Sequence, residues 1–299
     1  MLHPATAGGA ARFALEDGYQ AVSRLYHAYL TGLILATVTR RGNADAAELM
    51  FQTFRRQHLE KFLPGLKLLG LDKLPHAVAC AQYHYLSNHL GGVKVEYVYE
   101  SDRKAWVRYL PPRWIFHGTA ICAIPSEASR AMLRGWHAHN GVSLGNPRLG
   151  FVCTAQTVDG QYGLEGYYYE YDHDLTPDER LRFAPGEVGP DFDPHAVPRA
   201  EGADWPAERL RKVERNYAMA YVRTVLPVLA MLFGPQQGGG LGAAAGRLIG
   251  MQLYDEVAAL LGIRDSTPEA FGELLVRICT AQGDRAVWRA ERDTVLVEL

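Results

Sequence analysis

The run VKVEYVYESDRKAWVRYL, residues 93–110, decides the fold. Val93, Val95, Tyr97 and Tyr99 alternate with Lys94, Glu96 and Val98, the period of a strand with one buried face. Ala105 to Leu110 is a second apolar-aromatic run, and Ser101-Asp102-Arg103 between them has turn composition. The pair reads as a β-hairpin. Pro111-Pro112 ends it, because proline has no N–H to give to a ladder.

Upstream the period is helical. Leu25, Tyr29, Leu33 and Ala36 fall on one helix face, and Gly42-Asn43 punctuates. Leu49, Phe51, Phe54, His58 and Phe62 carry a second helix over 44–63, weakened at Pro64-Gly65. A third spans 75–89 and stops at Gly91-Gly92. Downstream, 126–136 is a helix with Ser126 as N-cap. Strands follow at 149–157 and 164–171, joined at Asp159-Gly160-Gln161. Prolines at 177, 185, 190, 194 and 198 make 176–205 a linker or wrapping arm. The last section is helical over 207–233 (bent at Pro227), broken at Gly238 to Gly240, and helical again over 241–261 and 269–281. A hairpin at 287–289 and 294–297 ends it.

That order repeats the order of 19–110 at a fixed offset of 192 residues. Ala28-Tyr29 meets Ala220-Tyr221, Gly42 meets Gly234, and Leu68-Leu69-Gly70 meets Leu260-Leu261-Gly262; Gly91 meets Gly283. The identities are few, and chance is the competing account; three turn glycines and the lack of gaps favour duplication. The expected fold is α+β: helical bundles packed on antiparallel β-hairpins, with an internal duplication. The division is 13–175 as one α+β domain, 176–205 as the arm, and 206–299 as a partial repeat.

Composition bounds the function classes. With 299 residues, 48% hydrophobic and 21% charged, the chain can build a real core. A net charge of −2 gives no general drive toward nucleic acid and no polybasic membrane anchor. The longest apolar contender for a membrane span, 222–233, is short and holds Arg223 and Pro227. Cys80, Cys122, Cys153 and Cys279 form no CxxC, so a reducing, cytoplasmic setting is expected. Met1 to Ala11 lacks signal-peptide character. A homodimer is the expected assembly, because hairpins and amphipathic helices leave surface to cover.

The densest polar chemistry lies in 113–173. His137 and His139 as an HxH on a strand would share a face and chelate a divalent metal, with Glu170 or His117 as third ligand. No HExxH or similar spacing supports a metal, and nothing in the sequence requires a cofactor; pocket or surface polarity is the other account. His117, between apolar neighbours, is either a satisfied core histidine or a general base. Cys153, among Phe151, Val152 and Thr154, is a core thiol unless a cation lowers its pKa. Tyr167, Tyr169 and Tyr171 share one strand face, with Tyr168 and Glu170 on the other. Arg148 and Arg113 are forked donors suited to a substrate carboxylate, and Trp136, Asn140, Tyr167 and Tyr169 are candidates for the pocket wall.

The helices AYVRTVLPVLAMLFG…AAAGRLIGMQLYDEVAALLGI…FGELLVRICTAQGD, within 220–284, resemble the amino-terminal helices of the L-2-amino-thiazoline-4-carboxylic acid hydrolase-like family, and 19–171 resembles it more diffusely. The resemblance implies an α+β fold and hydrolytic opening of a small cyclic C–N substrate bearing a carboxylate. The family's Cys-Pro after the hairpin reads Leu110-Pro111-Pro112-Arg113 here, so no catalytic residue is carried over. The expected activity is therefore a hydrolase in which His137 or His139 activates water, Glu170 shares the proton and Arg148 holds the carboxylate. The alternatives are a non-catalytic, sensor-like binding protein, or an isomerase or lyase on the same scaffold.

Overall fold

The computed structural model describes residues 13–111, 114–116, 122–199, 205–291 and 294–299. Three helices open the chain: α1 (Leu15–Arg41), α2 (Asn43–Leu68) and α3 (His76–Leu90). Strands β1 (Val95–Ser101) and β2 (Lys104–Tyr109) form the expected hairpin, pairing Tyr97 with Val107 and Tyr99 with Ala105. A short pair, β3 (Ile115–Phe116) and β4 (Cys122–Ala123), leads to α4 (Ser126–Gly135). A 3-10 turn, His137–His139, and α5 (Asn140–Ser143) then precede β5 (Leu149–Ala155), β6 (Leu164–Glu170) and β7 (Leu181–Phe183). The chain closes with α6 (Ala207–Leu260), α7 (Pro268–Gln282) and the hairpin β8 (Val287–Glu291) and β9 (Thr294–Glu298). The fold is α+β.

The main sheet has the order β1-β2-β6-β5-β7 and is antiparallel except where β7 runs parallel to β5. Alternation gives it two different faces. Tyr97, Val107, Tyr109, Phe151 and Tyr168 face the helices and join the core, with Leu33, Phe54, Phe62 and Trp136. The outer face carries Trp106, stacked obliquely at 4.6 Å on Tyr167. The proline-rich segment covers this face. It contributes β7, and then Tyr167 donates to Glu187 at 3.0 Å and Arg108 donates to the Pro190 carbonyl. Gly189 lies so close to Trp106 and Arg108 that a Cβ there would clash with both. The segment is thus a strap on the sheet.

The helix boundaries recur at the constant offset: 15 to 207, 43 to 235, 68 to 260, 76 to 268 and 90 to 282. The break in α6 is at Gly234 (φ 77°, ψ 158°), the counterpart of Gly42 (φ 90°, ψ 173°). Gly238 to Gly240 are helical, contrary to expectation, because three glycines lower helix propensity without forbidding the conformation. The second helices end alike. Leu71 N–H donates to Leu66 O and Ile263 N–H to Ala258 O, with Gly70 and Gly262 both left-handed at φ 69° and 71°. The first helix of each half reaches the later helices of the other half: Tyr217 donates to Asn88, and Gln282 donates to Tyr26. Only the first hairpin is extended into the larger sheet, while β8 and β9 form a two-stranded sheet. By length and mean hydropathy (1.5 over its most apolar window) α6 passes the criteria for a membrane-crossing helix, a test that core helices also pass.

Gly42 and Gly234 occupy a backbone region open essentially to glycine alone, where another residue costs about 1–3 kcal/mol. Gly42→Ala and Gly234→Ala should each lower unfolding free energy by about that amount in urea titrations. An unchanged midpoint for either variant would contradict the equivalence of the two junctions.

Candidate functional site

A cavity of about 150 Å³ lies where α2, α3, the end of α4 and α6 meet. Phe54, Gln57 and Lys61 from α2 form one side, and Tyr83, His84, Ser87 and Asn88 from α3 form another. Trp136 and His137 close it from the turn after α4, and Tyr217 and Tyr221 enter from α6. α3 presents these groups because His84, Ser87 and Asn88 fall three and four residues apart, on one face. The turn at 136–139 follows from Gly135, which is pressed on α2: a Cβ there would sit 2.6 Å from Phe51 O.

The polar heart of the site is a stack of rings. His84 and His137 lie 4.2 Å apart at 12°, and Tyr168 lies 5.7 Å from His137 at 17°. Asn140, fully buried, ties them together. Its amide donates to Tyr168 OH at 2.8 Å and approaches His84 Nε2 at 3.4 Å. The Tyr168 hydroxyl also lies 2.6 Å from His137 Nδ1, within hydrogen-bond distance. His84, accepting at Nε2, holds its proton on Nδ1 and donates to Tyr109 OH at 3.0 Å. One amide thereby links Tyr168 and His84.

Burial sets the charge states around the cavity. It pushes the Tyr168 phenol well above its ordinary value, with Cys80, Tyr109 and Tyr83 adding to the shift. The Cys80 thiol, fully buried beside Asn140, is also raised and stays protonated. His58 falls to about 3, through burial first and then the Arg55 guanidinium, which donates to its Nδ1 at 2.8 Å. Burial also lowers Lys61, whose ammonium makes no ion pair among the described residues. Trp136 Nε1–H is buried against the cavity without a hydrogen-bond acceptor among them. Among the described residues no Asp or Glu lines the cavity.

The structure reassigns most of the expected site. His137, Trp136 and Asn140 gather here. His139 does not: the HxH lies in a 3-10 turn, not a strand, so the two imidazoles diverge. His139 donates from Nδ1 to Arg134 O at 2.9 Å and sits near His58 and Phe51, its pKa lowered by burial and then by Arg55. Among the described residues no group of three or more His, Cys, Asp or Glu converges to hold a metal. Glu170 and Arg148 do meet, at 2.9 Å, but in a different and open cleft of about 540 Å³ with Lys73, His76 and Asn146. There Arg148 is neutralised by Glu170, which also accepts from Asn146 at 3.0 Å, so neither is placed to serve His137. Tyr167 and Tyr169 are on the strap-covered face, opposite the cavity; Tyr168 is the residue that points toward the helices and meets His137, because strand side chains alternate. Cys153 is a core thiol raised to about 12 by burial. Arg113 and His117 lie outside the described residues.

Sequence reasoning missed His84, Tyr109, Lys61 and the α6 tyrosines. The available signal was in α3: Cys80, His84, Ser87 and Asn88 make a polar stripe on a helix otherwise rich in Ala, Tyr and Leu. Comparison with protein-family models, curated proteins and solved structures finds no match.

Neutral His58 favours folding only while the unfolded chain's histidine is also neutral. Its folded pKa of about 3 lies below the ordinary 6.5, so the unfolded state binds the extra proton between these values. Stability should therefore be full above about pH 6.5 and fall toward pH 3, with His58 contributing up to about 1.4 kcal/mol per pH unit. Denaturation of His58→Gln across this range should show a shallower pH slope than wild type.

Proposed function

We propose that the protein binds a small planar molecule bearing a carboxylate in the cavity beneath Trp136. The observation that carries this reading is the set of donors left for a ligand among the described residues: the Lys61 ammonium without an ion pair and the Trp136 N–H without an acceptor, in a cavity that no described carboxylate lines. A buried N–H without an acceptor costs free energy that a ligand's acceptor would recover. The walls are Phe54, Tyr83, Tyr217 and Tyr221, which suit the face of a flat ring. An anionic ligand would also restore charge balance around Lys61.

A second reading, hydrolysis of a cyclic C–N or amide bond, follows from the resemblance of the helices and is favoured by Lys61. Desolvation lowers its pKa, the condition under which a lysine serves as a general base. Neutral Lys61 would take a proton from water as the hydroxyl oxygen bonds to carbon. The C–N bond would break, and the ammonium would return the proton to the departing nitrogen. The Tyr168–His137 and His84–Tyr109 pairs would hold the wall in register rather than exchange protons with water.

Calorimetric titration with planar cyclic carboxylates and their neutral amides distinguishes these. Carboxylates should bind and amides should bind more weakly, with Lys61→Met reducing carboxylate affinity about tenfold or more. Equal affinity for acid and amide would remove the reading. Ring-opened product, detected by mass spectrometry and abolished in Lys61→Met, would establish the hydrolase.

A further inference from the structure

The offset that relates the two halves also relates two cavities. The cavity beneath Trp136 uses α2 and α3 of the first half and Tyr217 and Tyr221 from α6 of the second. Their counterparts at 192 residues are Leu25 and Tyr29 of α1, which line two adjoining cavities against the second half of α6. The larger of these, about 550 Å³, is also bounded by α7.

The residue exchanges explain its size and character. Phe54 and His58 have Gly246 and Gly250 as counterparts, so two rings are replaced by hydrogen and space opens beside α1. Gln57, Lys61 and Tyr83 have Ile249, Leu253 and Leu275, so the polar wall becomes aliphatic. In the first half α4 packs on α2; no such element covers the second half of α6 among the described residues. Met251 is therefore 70% exposed at the cavity edge. Arg247 stands at one end with no ion pair among the described residues, and Asp255 lies two helical turns away.

We propose that this cavity is a second binding site, for an amphiphile with an aliphatic chain and one carboxylate. The chain would lie along Leu253, Leu274 and Ile278, and the carboxylate would meet the Arg247 guanidinium, which its forked donors suit. The volume is within the range of small-molecule pockets, roughly 300–1,000 Å³, and the lining is mostly apolar, with Arg247 and Asp255 two helical turns apart as its charged members. This site is independent of the cavity beneath Trp136.

The test is calorimetric titration of the full chain with decanoate below its micellar concentration, with decanol as the neutral analogue. Saturable one-to-one binding of decanoate is expected. Arg247→Gln should weaken decanoate about tenfold and leave decanol unchanged. Met251→Glu, at an exposed position that does not threaten folding, should abolish binding of both. Lys61→Met should affect neither. Absence of saturable binding, indifference to Met251→Glu, or loss of binding in Lys61→Met would overturn the proposal. So would sedimentation showing a wild-type dimer that Met251→Glu dissociates, since the face would then be an interface between copies. Co-sedimentation with phosphatidylcholine vesicles that is lost in Met251→Glu would overturn it as well, by assigning the face to a membrane surface.

Discussion

Both cavities depend on one packing constraint: the first helix of each half reaches across to the later helices of the other. Gln57 donates to Thr224 and to the Ala220 carbonyl, joining α2 to α6. On the other side Tyr29 donates to the Gly242 carbonyl, and Arg24 pairs with Glu256, joining α1 to the second half of α6. Gly42 and Gly234 permit this, because each lets a long helix stop and the next begin without an intervening loop. A pocket then forms wherever the side chains between the crossing helices fail to fill the gap.

The two halves fill that gap differently. In the first, rings and polar groups leave a small cavity beside a stack of rings that Asn140 joins through His84 and Tyr168. Such a network is stable only when nearly every member is satisfied, because an unpaired polar group is costly at low dielectric. Asn140 Oδ1 within the network and the Trp136 N–H against the cavity are the exceptions, buried without a partner among the described residues. In the second half, glycines and aliphatic side chains leave a larger and more apolar space. The sheet accounts for part of this contrast, since β2 and β6 deliver Tyr109 and Tyr168 to the first half, whereas the second half's sheet stops at β8 and β9.

Much of the scaffold was legible. The 93–110 hairpin, the three opening helices and the alternation of Tyr167, Tyr168 and Tyr169 follow from periods of two and of 3.6, which local sequence carries. The candidate site was less so. His137, Trp136 and Asn140 were found through their density of functional groups, but His139, Glu170 and Arg148 were grouped with them by proximity in sequence. Spacing in a loop carries no direction: whether 137–139 forms a strand or a 3-10 turn decides whether its two imidazoles converge.

By itself, the sequence determined the α+β class, the hairpin and the helix end at Gly42, and it suggested the 192-residue offset; each depends on a residue's own backbone freedom or on side chains a few positions apart, whereas α2 runs through Pro64 to Leu68 instead of stopping at 63. The tertiary structure alone decided that His84 stacks on His137, that Tyr168 meets His137, and that the proline-rich segment straps the outer sheet. It also decided that Arg148 is spent on Glu170 while Lys61 keeps no such partner. These pairings join residues far apart in the chain, and their energies exist only after long-range packing has excluded water from between them.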